Sequence, residues 1–119
     1  MQFSCIFCKI IAKEIPATMI AENEQIIVIK DINPKAPIHY LIIPKKHAAD
    51  IAGFDDSDTQ LAGQMIMMAK QLAQQLPGSQ AFRLLVNNGA DAGQCVFHVH
   101  FHFLSGPSTG LRMTGMADF

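Results

Sequence analysis

The chain has 119 residues, half of them apolar and 16 % charged, which suits one hydrophobic core and is too little for two. Nine basic residues against ten acidic ones leave a net charge of −1, so no cationic surplus drives non-specific nucleic-acid binding. No run approaches about 18 uncharged apolar residues, which excludes a membrane-spanning helix.

The first predicted element is a short helix over residues 5–13, where Ile6, Lys9, Ile10 and Lys13 recur at spacings of three and four. The same segment holds no secretory h-region, because Lys9, Lys13 and Glu14 interrupt it. Three cysteines are too few for a disulfide framework. The expectation is a single cytoplasmic domain over residues 1–119, without membrane or nucleic-acid partners. Ile15-Pro16-Ala17 makes the first turn. Residues 25–30, with four consecutive β-branched side chains from Ile26 to Ile29, predict a strand buried on both faces. Residues 31–37 carry two prolines, which remove backbone donors and restrict their predecessors, and so form a loop. A second strand follows over residues 38–43, closed by Pro44.

The longest helix is expected over residues 58–76. Ser57 with Gln60 fits a capping box, and Asp55, Asp56 and Asp58 suit the positive end of the helix dipole. Leu61, Met65, Met68, Ala69, Leu72 and Leu76 form one stripe, which Ala62, Ile66, Met67 and Ala73 widen. A second buried contact, as in a homodimer, explains that width; a broad core face with Met as filler is the alternative. Pro77-Gly78 ends the helix. Residues 82–86 predict a third strand, 87–94 a glycine-bearing loop, and 97–104 a fourth strand. From about residue 105 the tail is read as irregular. The fold class is α+β, with a mainly antiparallel sheet, one long helix and a short N-terminal one.

Within the fourth strand, alternation puts His98, His100 and His102 on one face and Val99, Phe101 and Phe103 on the other. Packing gives no reason for three imidazoles in register. Their spacing along a strand, roughly 6.5–7 Å per pair, spreads them too widely for one metal ion, although a neighbouring pair can share one. It suits a division of labour along a phosphate ester, with one neutral imidazole attacking and a neighbour holding oxygens.

His98-Val99-His100-Phe101-His102-Phe103-Leu104, preceded by Gly93-Gln94-Cys95-Val96-Phe97, resembles the signature of the histidine triad family in its Hint branch. The likeness extends to Phe7-Cys8-Lys9-Ile10-Ile11, to residues 31–39 and to Ile43-Pro44-Lys45-Lys46-His47. The resemblance implies a homodimer whose protomers join through a helix and sheet edges into one ten-stranded sheet. It also implies a hydrolase acting on purine nucleoside 5′-phosphoramidates and aminoacyl-nucleotides through a nucleotidyl-histidine intermediate.

By the same resemblance His100 is the nucleophile, His102 contacts phosphate oxygens and His39 stands near the nucleophile; a buried structural imidazole is an equal reading of His39. Asp31 takes the ribose hydroxyls of an AMP-type ligand, or simply ends a strand. Ile29 and Ile32 flank the base, and Asn87, Gly93, Gln94, Cys95 and Val96 form the phosphate-side loop. At Cys95 many relatives have Ser, a stronger donor than a thiol.

Cys5 and Cys8 have zinc-ligand spacing, and with His47 and His98 they would make a closed structural Zn2+ site that takes no part in the chemistry. Packed free thiols or a redox pair are the other readings. Competing functions are dinucleoside polyphosphate hydrolysis, as in the fragile histidine triad class, and a non-catalytic nucleotide-binding module. The tail over residues 110–119 matches no pattern that fixes the leaving group.

Overall fold

In the computed structural model, which describes residues 4–106, the chain folds around its most β-branched segment. Strand β2 (Ile26–Lys30) pairs antiparallel with β1 (Met19–Glu22) on one side and β3 (Ile38–Pro44) on the other. Strand β5 (Phe101–Ser105) lies next to β3, and β4 (Arg83–Leu85) completes a five-stranded antiparallel sheet in the order β1-β2-β3-β5-β4. Two helices accompany it, α1 (Ile6–Ile11) and the long α2 (Thr59–Gln74). None of the described helices is long and apolar enough to cross a membrane.

The pleat of β2 feeds two cores. Ile26 and Val28 join Ile42, Phe103 and the buried face of α2, while Ile27 and Ile29 join Leu41, Ile43 and α1. None of the four β2 side chains is more than 4 % exposed, so the expected double burial holds. Burying each contributes about 1.5–3 kcal/mol before entropy is counted. The register carries Ile29 to Leu41 and Leu41 to His102, setting one row across three strands on the α1 side of the sheet.

Helix α2 buries Leu61, Met65, Met68, Ala69, Leu72 and Ala73, and leaves Ile66 and Met67 about half exposed. Its N-terminus differs from expectation. The capping box is Asp55 with Asp58, made through a 3-10 turn over Asp56–Asp58, and not Ser57 with Gln60. Carboxylates accept stronger hydrogen bonds than a hydroxyl, and both Asp58 oxygens also accept from Lys46 Nζ at 2.7 Å. That ion pair ties the start of α2 to the end of β3.

Other boundaries move as well. The third strand shrinks to Arg83–Leu85, and the fourth begins only at Phe101 and runs on to Ser105. Strand β1 is not foreseen by the sequence reading. Its four residues are short and mostly half-buried, and the ladder to β2 is what makes them a strand. Residues 107–119, where the irregular tail was expected, lie outside the described part.

Candidate active site and metal-ligand cluster

On the α1 side of the sheet lies a cavity of about 500 Å3. Ile6, Phe7 and Ile10 of α1 form one apolar wall, facing Ile29 and Leu41 of the sheet. Asp31, Ile32, Asn33 and Lys35 of the β2–β3 loop border one end. Asn87 and the segment Gly93-Gln94-Cys95-Val96 border another, with His39, His100 and His102 between them. All the residues expected to bind a nucleotide thus line one space. The sequence reading missed Ile6, Phe7, Ile10 and Leu41; their apolar periodicity was visible, but not where that face would point.

The histidines do not share a strand. Only His102 stands in β5; His98 and His100 precede it. The chain is drawn off the sheet there, because Val99 N–H donates to Ala48 O at 2.8 Å and His98 Nε2 donates to Pro44 O at 2.7 Å. Pairing with β3 resumes at Phe101 opposite Ile42. The expected apolar face survives, since Val99, Phe101 and Phe103 all pack into the α2 core. The imidazoles, however, separate into two groups: His98 turns towards the cysteines, while the His100 and His102 rings approach to 5.1 Å in the cavity.

Hydrogen bonds assign the tautomers. His100 Nδ1 lies 2.8 Å from the His98 carbonyl, which only accepts, so Nδ1 carries the proton and Nε2 keeps its lone pair. Burial holds the His100 pKa below 6.5, against an opposing pull from that carbonyl bond and from Asp31. The ring is therefore neutral at pH 7, the form in which an imidazole is a nucleophile.

A second chain of bonds orders His102. Lys35 N–H donates to His39 Nδ1 at 3.1 Å, which leaves the proton of neutral His39 on Nε2. His39 Nε2 then donates to His102 Nδ1 at 2.9 Å, leaving Nε2–H of His102 as the donor. Burial first, then the charges of His100 and His39, push the His102 pKa down to about 4. His39, only 3 % exposed, is lowered mainly by burial, and Asp31 opposes the shift from 3.4 Å. The ligand atoms of Asp31, His39 and His102 lie within 4.8 Å of one another, close enough for a metal ion. Their bonding instead makes a relay, since His39 Nε2 is already protonated.

The phosphate-side loop is shaped by its glycine and its glutamine. After a 3-10 turn over Ala90–Ala92, Gly93 adopts φ 95°, a left-handed conformation costly for any residue with a Cβ. Gln94 is buried; its Oε1 accepts from Gly89 N–H at 2.7 Å and its Nε2 donates to Ala49 O and Val96 O. Its side chain is therefore committed to holding the loop. The Cys95 thiol is exposed and donates to Gly93 O at 3.5 Å, while Ile32 is 91 % exposed at the cavity mouth.

Next to the cavity, Cys5, Cys8, His47 and His98 converge, their ligand atoms all within 4.8 Å of one another. The closest approaches are 3.1 Å between the two Nδ1 atoms, and 3.3–3.6 Å between sulfurs and nitrogens. Ligands at the corners of a zinc tetrahedron stand about 3.3–3.8 Å apart, given bonds near 2.0–2.3 Å. The donor set therefore fits a thiophilic ion. Donation of His98 Nε2–H to the Pro44 carbonyl frees Nδ1 to be a ligand, the arrangement expected behind a metal-bound histidine. The cluster can hold a metal.

Comparison with known proteins agrees with this architecture. Residues 12–109 match the family model described as HIT domain. An uncharacterized HIT-like protein of Synechocystis is 45 % identical over 101 residues, covering 85 % of this chain and 89 % of that protein. A HIT family hydrolase from Legionella pneumophila Philadelphia 1 superposes with a TM-score of 0.87 at 41 % identity, covering 94 % of this chain and 99 % of the other. A Zn-bound histidine triad family protein from Mycobacterium smegmatis superposes with a TM-score of 0.75 at 28 % identity, covering 96 % and 87 %.

Proposed function

The chain belongs to the HIT domain family, and from that premise we propose that it hydrolyses nucleoside 5′-phosphate derivatives with His100 as the nucleophile. The observation that carries this reading is the 2.8 Å bond from His100 Nδ1–H to the His98 carbonyl, which leaves Nε2 unprotonated in a cavity wide enough for a nucleotide. The preferred substrates are purine nucleoside 5′-phosphoramidates and aminoacyl-adenylates. His100 Nε2 attacks the α-phosphorus as the P–N or P–O bond breaks; the amine leaves with a proton taken from solvent and the carboxylate leaves as its anion. Water then cleaves the nucleotidyl-histidine to the nucleoside monophosphate and returns His100 to its neutral form.

Each remaining residue has a task in this scheme. His102 Nε2–H donates to a phosphate oxygen, and His39 keeps His102 in that tautomer. The Asp31 carboxylate accepts from the ribose hydroxyls. Ile29 and Ile32 flank the base, with Phe7, Ile10 and Leu41 extending the apolar wall. Asn87 and the Gly93-Gln94-Cys95-Val96 loop surround the phosphate. The only cations among the described lining residues are Lys30 and Lys35, both close to Asp31 in sequence. So few positive charges favour a singly charged phosphoramidate over the dinucleoside polyphosphates of the fragile histidine triad class.

Cys5, Cys8, His47 and His98 would hold a structural Zn2+, which supplies a fixed tetrahedral tie and no chemistry; the catalysis needs no cofactor. The half-exposed Ile66 and Met67 on α2, together with the position of the short β4 at the sheet edge, support a homodimer of this domain. The deciding experiment is AMP release from adenosine 5′-phosphoramidate by wild type and His100→Asn at equal zinc content. We expect a loss of about a thousandfold or more with AMP affinity retained. Absence of wild-type turnover despite AMP binding would leave a nucleotide-binding module.

A further inference from the structure

The metal-ligand cluster and the nucleophile share their supports. Helix α1 is six residues long, too short to stand alone in water. Cys5 caps it and Cys8 lies in it, both facing His98, while Ile6, Phe7 and Ile10 of the same helix line the cavity. The Phe7 ring meets both histidines edge-on, at 5.9 Å from His98 and 5.1 Å from His100. His98 itself does two things: its ring belongs to the ligand set, and its carbonyl accepts the Nδ1–H of His100 at 2.8 Å.

We infer that a thiophilic divalent metal at Cys5, Cys8, His47 and His98 positions the His100 imidazole through the His98 carbonyl and the Phe7 ring, coupling metal occupancy to nucleotide binding. Phe7 and His98 are then positioning residues that act through His100. With the ion bound, the His98 ring is fixed at both nitrogens, by metal on Nδ1 and by Pro44 O on Nε2. The peptide that carries the carbonyl is fixed with it. With the ion removed, the two thiols and two imidazoles are joined only by weak hydrogen bonds over 3.1–3.6 Å, so α1 loses its strongest tie at its first turn. The cavity wall and the tautomer of His100 both change in consequence.

The nucleotide arm of this inference rests on the reading of the cavity given above, so the test uses two kinds of readout. AMP is titrated into the full chain, zinc-loaded and chelator-stripped, and zinc affinity is measured by chelator competition with and without saturating AMP. Stripping is expected to weaken AMP binding about fivefold or more, and AMP is expected to tighten zinc by the same factor, because linkage is reciprocal. Equal AMP affinities in a stripped chain that keeps its fold would overturn the inference.

Where stripping unfolds the chain, Cys5→Ser decides: the serine hydroxyl keeps an acceptor for Cys8 N–H at the start of α1 but is a poor ligand for a thiophilic ion. Zinc affinity should fall about tenfold or more, and the 15N signal of His100 should move from a fixed Nδ1–H tautomer towards the average of the two. A tautomer signal identical to wild type would overturn the inference. Failure of zinc-loaded wild type to bind AMP would count against the nucleotide reading alone, since the tautomer comparison needs no nucleotide.

Discussion

Lowering the pH from 7.5 to 5 should destabilise this fold through His102. Its pKa falls from 6.5 to about 4 on folding, chiefly because the ring is buried and then because His100 and His39 stand beside it. Between those two values the unfolded chain binds a proton that the folded chain refuses. Stability is therefore fully present above pH 6.5 and is lost as the pH falls towards 4. A displacement of that size is worth about 3 kcal/mol in full, of which about 2 kcal/mol is lost by pH 5. Solvent reaches part of the ring, which lowers our expectation to roughly 1–2 kcal/mol.

His39, His98 and His100 are displaced the same way, each mainly by burial, so they too favour the fold above 6.5 and lose that contribution as the pH falls below it. Glu22, Asp55 and Asp58 are also lowered, each first by a side-chain hydrogen bond, but from ordinary values of 4.5, 3.8 and 3.8. Their contributions persist above those values and disappear only at lower pH, so they leave the window clear. Urea denaturation at both pH values, on wild type and His102→Gln at matched zinc content, isolates the effect. Glutamine keeps an acceptor for His39 Nε2–H and removes the titration. The loss in wild type should exceed the loss in His102→Gln by about 1 kcal/mol or more. Equal losses, or a wild type that gains stability in acid, would refute this account of His102.

Two neighbouring methionines of α2 should behave oppositely. Met65 is fully buried between α2 and the sheet, so Met65→Ala should cost about 2–5 kcal/mol, read as a lower urea midpoint with unchanged slope. Met67 is 52 % exposed in the single chain, so Met67→Glu should leave a folded protein of monomer mass by light scattering. A dimer that survives this charge would move the interface away from α2.

Much of the fold was legible because local periodicity and burial go together. Ile26-Ile27-Val28-Ile29 announces a strand covered on both faces, and the stripe through Leu61, Met65, Met68 and Leu72 announces the inner face of α2. The boundaries were less legible where a side chain far along the chain decides them. Asp58 becomes half of a capping box partly because Lys46 reaches it, and Met19–Glu22 becomes a strand because β2 offers it a ladder.

The candidate site divides in the same way. Residue alternation singled out the three histidines of residues 98–102 and Cys-x-x-Cys spacing singled out Cys5 and Cys8, while the resemblance to the histidine triad family nominated His39, His100, His102 and Asp31 for one group and added His47 and His98 to the cysteines for the other. Strand alternation alone, however, would keep His98, His100 and His102 on one face. Only the folded chain separates them, since the Ala48 and Pro44 carbonyls hold residues 98 and 99 off the sheet. Which nitrogen of His100 carries the proton is likewise a tertiary fact. Sequence determines which donors and acceptors a chain owns, but a tautomer depends on which acceptor lies 2.8 Å away, and only folding brings that carbonyl and that ring into line.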